Sequence, residues 1–286
     1  MSNPQLSVVM SAYNSRSYLK AAIDSVLAQT FKDFELIVIN DGSSDDTQTI
    51  IDSYKDPRIV KIKHKNKGLV ASLNIGLAKA RGEFIARHDA DDLSSPQRFE
   101  KQLVLFNSNP RLVLVGTCVK EIDSAGKVIG RRQYPLADAD IRLALFHYSP
   151  FAHGSTMARR RALEEAGGYR QVYYPVEDYD LWRRLAQKGQ LQNIGETLYE
   201  FRVHQESISA TNLVRQKDLS AKLQRDIAQK PIRLILSPLN VRRAIKLNPS
   251  HRQTCVMLLK TSLKHLRPLD TIFMLIAIAL AGPRQK

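Results

Sequence analysis

Apolar and polar positions follow a repeating order through the first third of the chain. Leu6-Ser-Val-Val-Met10 is apolar and β-branched, Ser11-Ala-Tyr-Asn14 is polar, and Tyr18, Leu19, Ala22, Ile23, Val26 and Leu27 then recur at helical spacing. The pattern predicts strand, turn, helix. It repeats with a continuously apolar Phe34-Glu-Leu-Ile-Val-Ile39, a polar Asn40–Asp46 turn and a helix carrying Ile50, Ile51 and Tyr54. Ile59–Ile62 predicts a third strand and Leu69, Leu73 and Leu77 a third helix, before Gly82 breaks the chain ahead of the apolar Glu83–His88. Strands alternating with helices in this way predict a Rossmann-like α/β fold, a mostly parallel sheet flanked by helices.

Beyond Asp92 the alternation lapses. Ser94, Ser95 and Pro96 predict a helix start, with Phe99, Leu103 and Phe106 facing inward. Arg111–Val119 reads as a long strand and Val128–Arg132 as a second beyond the Gly126 turn. Arg160–Ala166 predicts a helix ended by Gly167-Gly168, and Val176–Trp182 opens another whose apolar face is Leu181, Trp182 and Leu185. Leu198–Val203 predicts a last strand, ending at His204.

Leu219, Leu223 and Ile227 then suggest a helix, and Pro231, Pro238 and Pro249 divide the remainder into short pieces. Ile272–Ala281 is wholly apolar but too short to span a bilayer, which needs about 20 residues. The expected organisation is one domain over 1–210 in two halves, 1–92 and 93–210, followed by a basic helical extension over 211–286.

Charge sharpens that division. Of the formal +15 on 286 residues, the stretch from Arg215 to the end carries 15 Lys and Arg against 3 Asp, which leaves only +3 on residues 1–214. A basic nucleic-acid-binding protein on the same fold, without catalytic activity, is the alternative reading. The near-balanced first three quarters and the lack of an aromatic-interleaved basic stripe argue against it, so no nucleic-acid partner is expected. Cys118 and Cys255 stand far apart with no Cys/His cluster, which fits a reducing compartment, and the N-terminus has no basic segment followed by an apolar core. A cytoplasmic protein is expected.

Candidate chemistry lies at the predicted strand ends. In doubly wound sheets ligands bind outside the carboxyl ends of the strands, where Ser11–Asn14, Asp41–Asp46 and Asp89-Ala-Asp-Asp92 all fall. Closely spaced carboxylates there can hold a partly hydrated divalent cation against substrate phosphates, although a D-x-D triplet alone also reads as an ordinary turn. No G-x-G-x-x-G follows the first strand and no G-x-x-x-x-G-K-[ST] occurs, which weakens a dinucleotide-dependent oxidoreductase and a P-loop enzyme. Glu177, Asp178 and Asp180 are either favourable charges at a helix start or part of an active site.

Taken in order, Ser7–Asn14, Phe34–Thr47, Asp89–Asp92, Glu177-Asp-Tyr-Asp-Leu-Trp182 and Arg202-Val-His204 resemble the inverting nucleotide-sugar glycosyltransferases of family 2, over about residues 5–210. The resemblance implies a GT-A fold, a catalytic domain over 1–210 with its nucleotide-binding half at 1–92 and its acceptor half at 93–210, a nucleotide-diphospho-sugar donor and a divalent cation, Mn²⁺ or Mg²⁺. It implies that Ser11, Tyr13 and Asn14 meet the nucleotide and that Asp41 reads the base. A carboxylate accepts the imide N–H of uracil, which favours a UDP-sugar, while Asn40 stands where the family often has another Asp.

The resemblance further implies Asp91 as metal ligand, Asp89 as the contact to ribose or sugar, and His204 as completing the metal shell, where imidazole tilts the choice toward manganese. It assigns the general base to Asp178; Glu177, His153 and Arg98 are candidates for lining the acceptor site. Opposing influences on Asp178, a helix N-terminus and two acidic neighbours, leave the sign of its pKa shift open. Processive relatives carry Gln-x-x-Arg-Trp and spanning helices, which are missing here, so a hexosyltransferase adding one sugar to a lipid-linked or polysaccharide acceptor of the cell envelope is expected. The basic extension is expected to meet the cytoplasmic face of a membrane.

Overall fold

The computed structural model describes residues 3–205 and 207–228; the apolar run Ile272–Ala281 and most of the basic extension lie outside the described residues. The elements in chain order are β1 (Leu6–Ala12), α1 (Leu19–Leu27), β2 (Phe34–Asn40), α2 (Thr47–Ser53), β3 (Ile59–Lys63), α3 (Leu69–Lys79), β4 (Phe84–Arg87), β5 (Leu93–Ser94), α4 (Arg98–Ser108), β6 (Leu112–Ile122), β7 (Val128–Arg132), α5 (Asp138–Ala144), β8 (Met157–Arg159), α6 (Arg160–Glu165), α7 (Glu177–Leu185), β9 (Gln190–Arg202), α8 (Ile208–Thr211) and α9 (Leu213–Ala228).

The sheet runs β3-β2-β1-β4-β8-β6-β9-β5, with β7 paired to β6. Its first four members are parallel, Leu6 facing both Phe34 and Phe84 in register. This is the α/β architecture that the alternation predicts. Beyond β4 the sheet is mixed: β8 runs antiparallel to both β4 and β6, whereas β6 and β9 pair in parallel along most of their length.

Both faces are covered, so the central strands are apolar on both sides. In β1, Val8 and Met10 pack with α1 and α4 through Ile23, Val26, Phe99 and Phe106, while Val9 packs on the opposite face with Leu73, Leu181, Trp182 and Leu185. The period of two is what sends neighbours to opposite layers. Leu223 of α9 is buried in the second of these layers, and Gln216 and Gln224 donate to the Pro175 and His147 carbonyls. The start of the basic extension is therefore packed on the body that precedes it.

Several boundaries differ from expectation. Ser11 and Ala12 continue β1 instead of turning, because their register with Ile39 and Asn40 extends the ladder. Leu93–Ser94 pairs with Glu200 and Tyr199, so the helix expected from Ser94 starts only at Arg98. The last strand starts at Gln190, eight residues before the expected Leu198, because β6 offers a long parallel partner that local pattern does not reveal.

Candidate active site

The carboxyl ends of β1 and β2 are tied together by polar side chains. Asn14 adopts a left-handed conformation (φ 49°), which Asn tolerates better than most residues. Its Oδ1 accepts from the Ser44 amide at 2.9 Å and its own amide donates to Ser43 Oγ at 3.0 Å. Tyr13 beside it is half exposed, and Ser11 is partly buried at the end of β1.

Asp41 is buried. Its Oδ1 accepts the Lys67 amide at 2.8 Å, and His64 Nδ1 lies 3.3 Å away. Gly42, at φ 73°, is what allows the closeness: a Cβ there would stand 2.4 Å from the Asn66 amide nitrogen. Asn40 is committed locally, its Nδ2 donating to Gln48 Oε1 and its Oδ1 accepting from the Ser43 amide. These bonds account for a neutral amide at that position.

The acidic loop after β4 is held on every side. Arg87 Nη2 donates to Asp89 Oδ1 at 2.5 Å, and the Asp89 amide donates to the Tyr199 hydroxyl at 3.1 Å. Gly154, in the 3₁₀ turn His153–Ser155, permits this packing, since a Cβ would fall 2.4 Å from Asp89 Oδ2. Asp91 Oδ2 lies 2.8 Å from His204 Nε2, which brings together two candidate metal ligands that are 113 positions apart in sequence. The His204 ring packs on Tyr18 at 5.4 Å between centroids.

Asp92 is buried and accepts the Arg202 amide at 2.7 Å, while the Arg202 guanidinium donates to the Asp91 carbonyl and lies over Tyr18. Burial pushes the Asp89 carboxyl up against the pull of Arg87, and burial together with Asp91 and Asp89 pushes Asp92 well up. The Asp91 carboxylate and the His204 imidazole, both partly exposed, are paired with each other, and both are groups whose chemistry can ligate a divalent cation. Among the described residues no group of three or more His, Cys, Asp or Glu side chains is arranged for an ion.

Glu177 and Asp178 begin α7. Asp178 Oδ2 accepts from Ser149 Oγ at 3.2 Å. Burial raises the Asp178 carboxyl to about 6, against the lowering effect of the Tyr179 amide and of Ser149, and the Asp89 charge adds to the rise. Desolvation thus outweighs the helix N-terminus, which decides the sign that sequence leaves open.

Glu177 is buried with Oε2 unpartnered, and burial followed by the Asp178 charge raises it to about 8. Asp180 is neutralised by Arg170 and Arg184, so it belongs to the scaffold. Trp182 is core, as its place on the helix predicts.

Arg98 and His153 do not present open surfaces. Arg98 is fully buried and donates to the carbonyls of Arg87 and Gly154, bracing the acidic loop from behind instead of lining an acceptor surface. His153 is 2.8 Å from the Tyr169 hydroxyl through Nε2 and packs against Trp182; burial lowers its pKa well below the ordinary histidine value. Sequence reasoning missed Arg87, Tyr199, Ser149 and Tyr169. Only Arg87 left a signal, a charged residue inside an apolar strand two positions before a carboxylate.

Residues 7–167 match the glycosyl transferase family 2 model. The chain is 39% identical over 208 residues to the putative glycosyltransferase EpsE of Bacillus subtilis, covering 70% of this chain and 74% of that protein. It is 32% identical over 209 residues to the amylovoran biosynthesis glycosyltransferase AmsE of Erwinia amylovora, covering 71% and 78%. The crystal structure of S. aureus TarS in complex with UDP-GlcNAc superposes with a TM-score of 0.69 at 16% identity, over 97% of this chain and 88% of that one.

Proposed function

The chain belongs to glycosyl transferase family 2, and from that membership we propose that it moves one sugar from a nucleotide-diphospho-sugar, read as a UDP-sugar, to a lipid-linked or polysaccharide acceptor with inversion. The observation that carries the reading is the pairing of two dissimilar acidic groups. The Asp89 loop is held by cations and amides, whereas Asp178, within the field of Asp89, has its carboxyl raised to about 6. The Asp89 charge acts on both Glu177 and Asp178, so the two groups share one electrostatic neighbourhood.

Asp41 receives the base and Tyr13 and Asn14 the nucleotide, at the carboxyl ends of β1 and β2 where an open α/β sheet binds ligands. Asp89 meets ribose or sugar. Asp91 and His204 would hold the divalent cation, Mn²⁺ or Mg²⁺, whose chemistry when bound would be charge neutralisation on the diphosphate. Asp178 accepts the proton of the acceptor hydroxyl as that oxygen attacks the anomeric carbon from the face opposite the nucleotide. A carboxylate with a pKa near 6 is ionised at neutral pH yet basic enough to take that proton. Ser149 fixes the orientation of Asp178, and protonated Glu177 leaves Asp178 as the carboxylate at the helix start that no arginine neutralises.

An acceptor in envelope polysaccharide synthesis is supported by the likeness to the amylovoran enzyme. Attachment of the basic extension to an anionic membrane surface is supported by its +12 charge, at about 1 kcal/mol for each basic residue close to the surface. Among the described residues no helix is long and apolar enough to cross a membrane. The test is to incubate the full chain with a panel of nucleotide sugars and Mn²⁺, measuring slow donor hydrolysis, which needs no acceptor. Release of nucleoside diphosphate from one UDP-sugar supports the reading, and no release from any donor opposes it.

A further inference from the structure

Arg87 is the charged residue of β4, and the strand holds it rigidly. Its amide donates to the Thr156 carbonyl at 2.8 Å and its carbonyl accepts from both Arg98 terminal nitrogens, at 3.3 and 3.2 Å. The side chain is only 4% exposed. Nη1 reaches the carbonyls of Val9 and His88, and Nη2 reaches Asp89 Oδ1. Nε has no partner among the described residues, so the group spends its bonds through its terminal nitrogens, where the carbonyls fix the plane and Asp89 receives what remains.

A buried guanidinium carries a heavy desolvation penalty, and a core needing only packing would not place one beside the cavity it lines with Thr156, Tyr169 and Trp182. Its field also reaches Glu177, His153 and Tyr169 on the acceptor side. A planar fork on a fixed strand holds a carboxylate in one rotamer, which a flexible lysine does poorly.

We infer that Arg87 is a positioning residue for sugar transfer: it locks the Asp89 carboxylate in the orientation the donor meets. The inference rests on the reading of Asp89 as a donor contact. A residue that acts through Asp89 matters only while Asp89 can accept its bond, whereas a merely structural arginine matters regardless. That difference is measurable by a double-mutant cycle.

The experiment measures donor affinity by calorimetry, and kcat and KM for donor hydrolysis, with UDP-sugars and Mn²⁺ in the full chain. The variants are Arg87→Met, Arg87→Lys, Asp89→Ala and Arg87→Met/Asp89→Ala, each checked for folding by circular dichroism. Arg87→Met is expected to weaken donor binding and raise KM about tenfold or more, the scale of a lost charge-assisted hydrogen bond, with a smaller change in kcat. Arg87→Lys should recover part of that loss, and in the Asp89→Ala background Arg87→Met should cost less than about threefold.

Donor affinity of Arg87→Met within about twofold of the parent, or losses that simply multiply in the double variant, would overturn the inference. If Arg87→Met does not fold, Arg87→Lys decides: a weakened donor KM supports the role and a parental one overturns it. A parent protein that binds no nucleotide sugar would overturn the functional reading and the inference with it. If the parent binds donor, the variants decide the role of Arg87 separately.

Discussion

The carboxylates after β4 and those opening α7 influence one another, yet the chain treats them in opposite ways. Asp89 is bonded to Arg87, Asp91 to His204 and Asp92 to the Arg202 amide, so each has a donor directed at it. At α7 only Asp180 is neutralised by arginines; Asp178 has a serine hydroxyl and Glu177 an unpartnered oxygen. Carboxylates that each receive a directed donor are fixed in orientation, although burial raises Asp89 and Asp92 as well. Anions buried with little compensation become proton acceptors near neutral pH. On the proposed function, the difference separates holding the donor from proton transfer.

The comparison breaks most visibly if the first group does not need a cation. Excess EDTA should abolish donor hydrolysis, with Mn²⁺ restoring it, and Asp91→Asn should weaken donor binding together with turnover, as measured by nucleoside diphosphate release. The next effect is on pH. With Asp178 at about 6, the ionised base is lost below that value, so the transfer rate at saturating substrate should fall about tenfold per pH unit below about pH 6. A flat profile between pH 5 and 7 would remove Asp178 as the titrating base.

A smaller effect is on stability. The folded-state pKa of Asp178 is raised from 3.8 to about 6, so the native protein keeps a proton that the unfolded chain releases between these values. Stability is therefore lost as pH rises through that window, and the loss is complete above it. Asp178→Asn removes the charge and should raise stability by about 1–3 kcal/mol at pH 8 while giving little at pH 4, read from thermal melts at the two pH values. The smallest effect concerns the membrane: the full chain should float with anionic more than with neutral vesicles, with partial release at high salt.

Legibility in the sequence follows the same division. β1 to β4 are readable because each strand is buried on both faces or joined to the next by a short local helix, so pattern and fold coincide. β8 and the first half of β9 are not, because their partners lie far away in sequence and short or half-exposed strands carry little periodic signal. Asp89, Asp91, Asp178 and His204 stand out through ordered motifs. Arg98 stands out through the resemblance alone, and its burial behind the acidic loop depends on contacts to Arg87 and Gly154 that local pattern does not carry. Ser149 and Tyr199 reach the acidic groups only through tertiary contacts and left no local trace.

The claim that holding and chemistry reside in different carboxylates is tested most directly by titrating Asp178→Asn with a UDP-sugar and Mn²⁺ in a calorimeter while measuring its transfer rate and the anomeric configuration of the parent's product by NMR. The account predicts donor affinity within a few-fold of the parent, a transfer rate lower by about 10²–10⁴, and an inverted product. Donor binding lost with turnover retained, or a product of retained configuration, would contradict it.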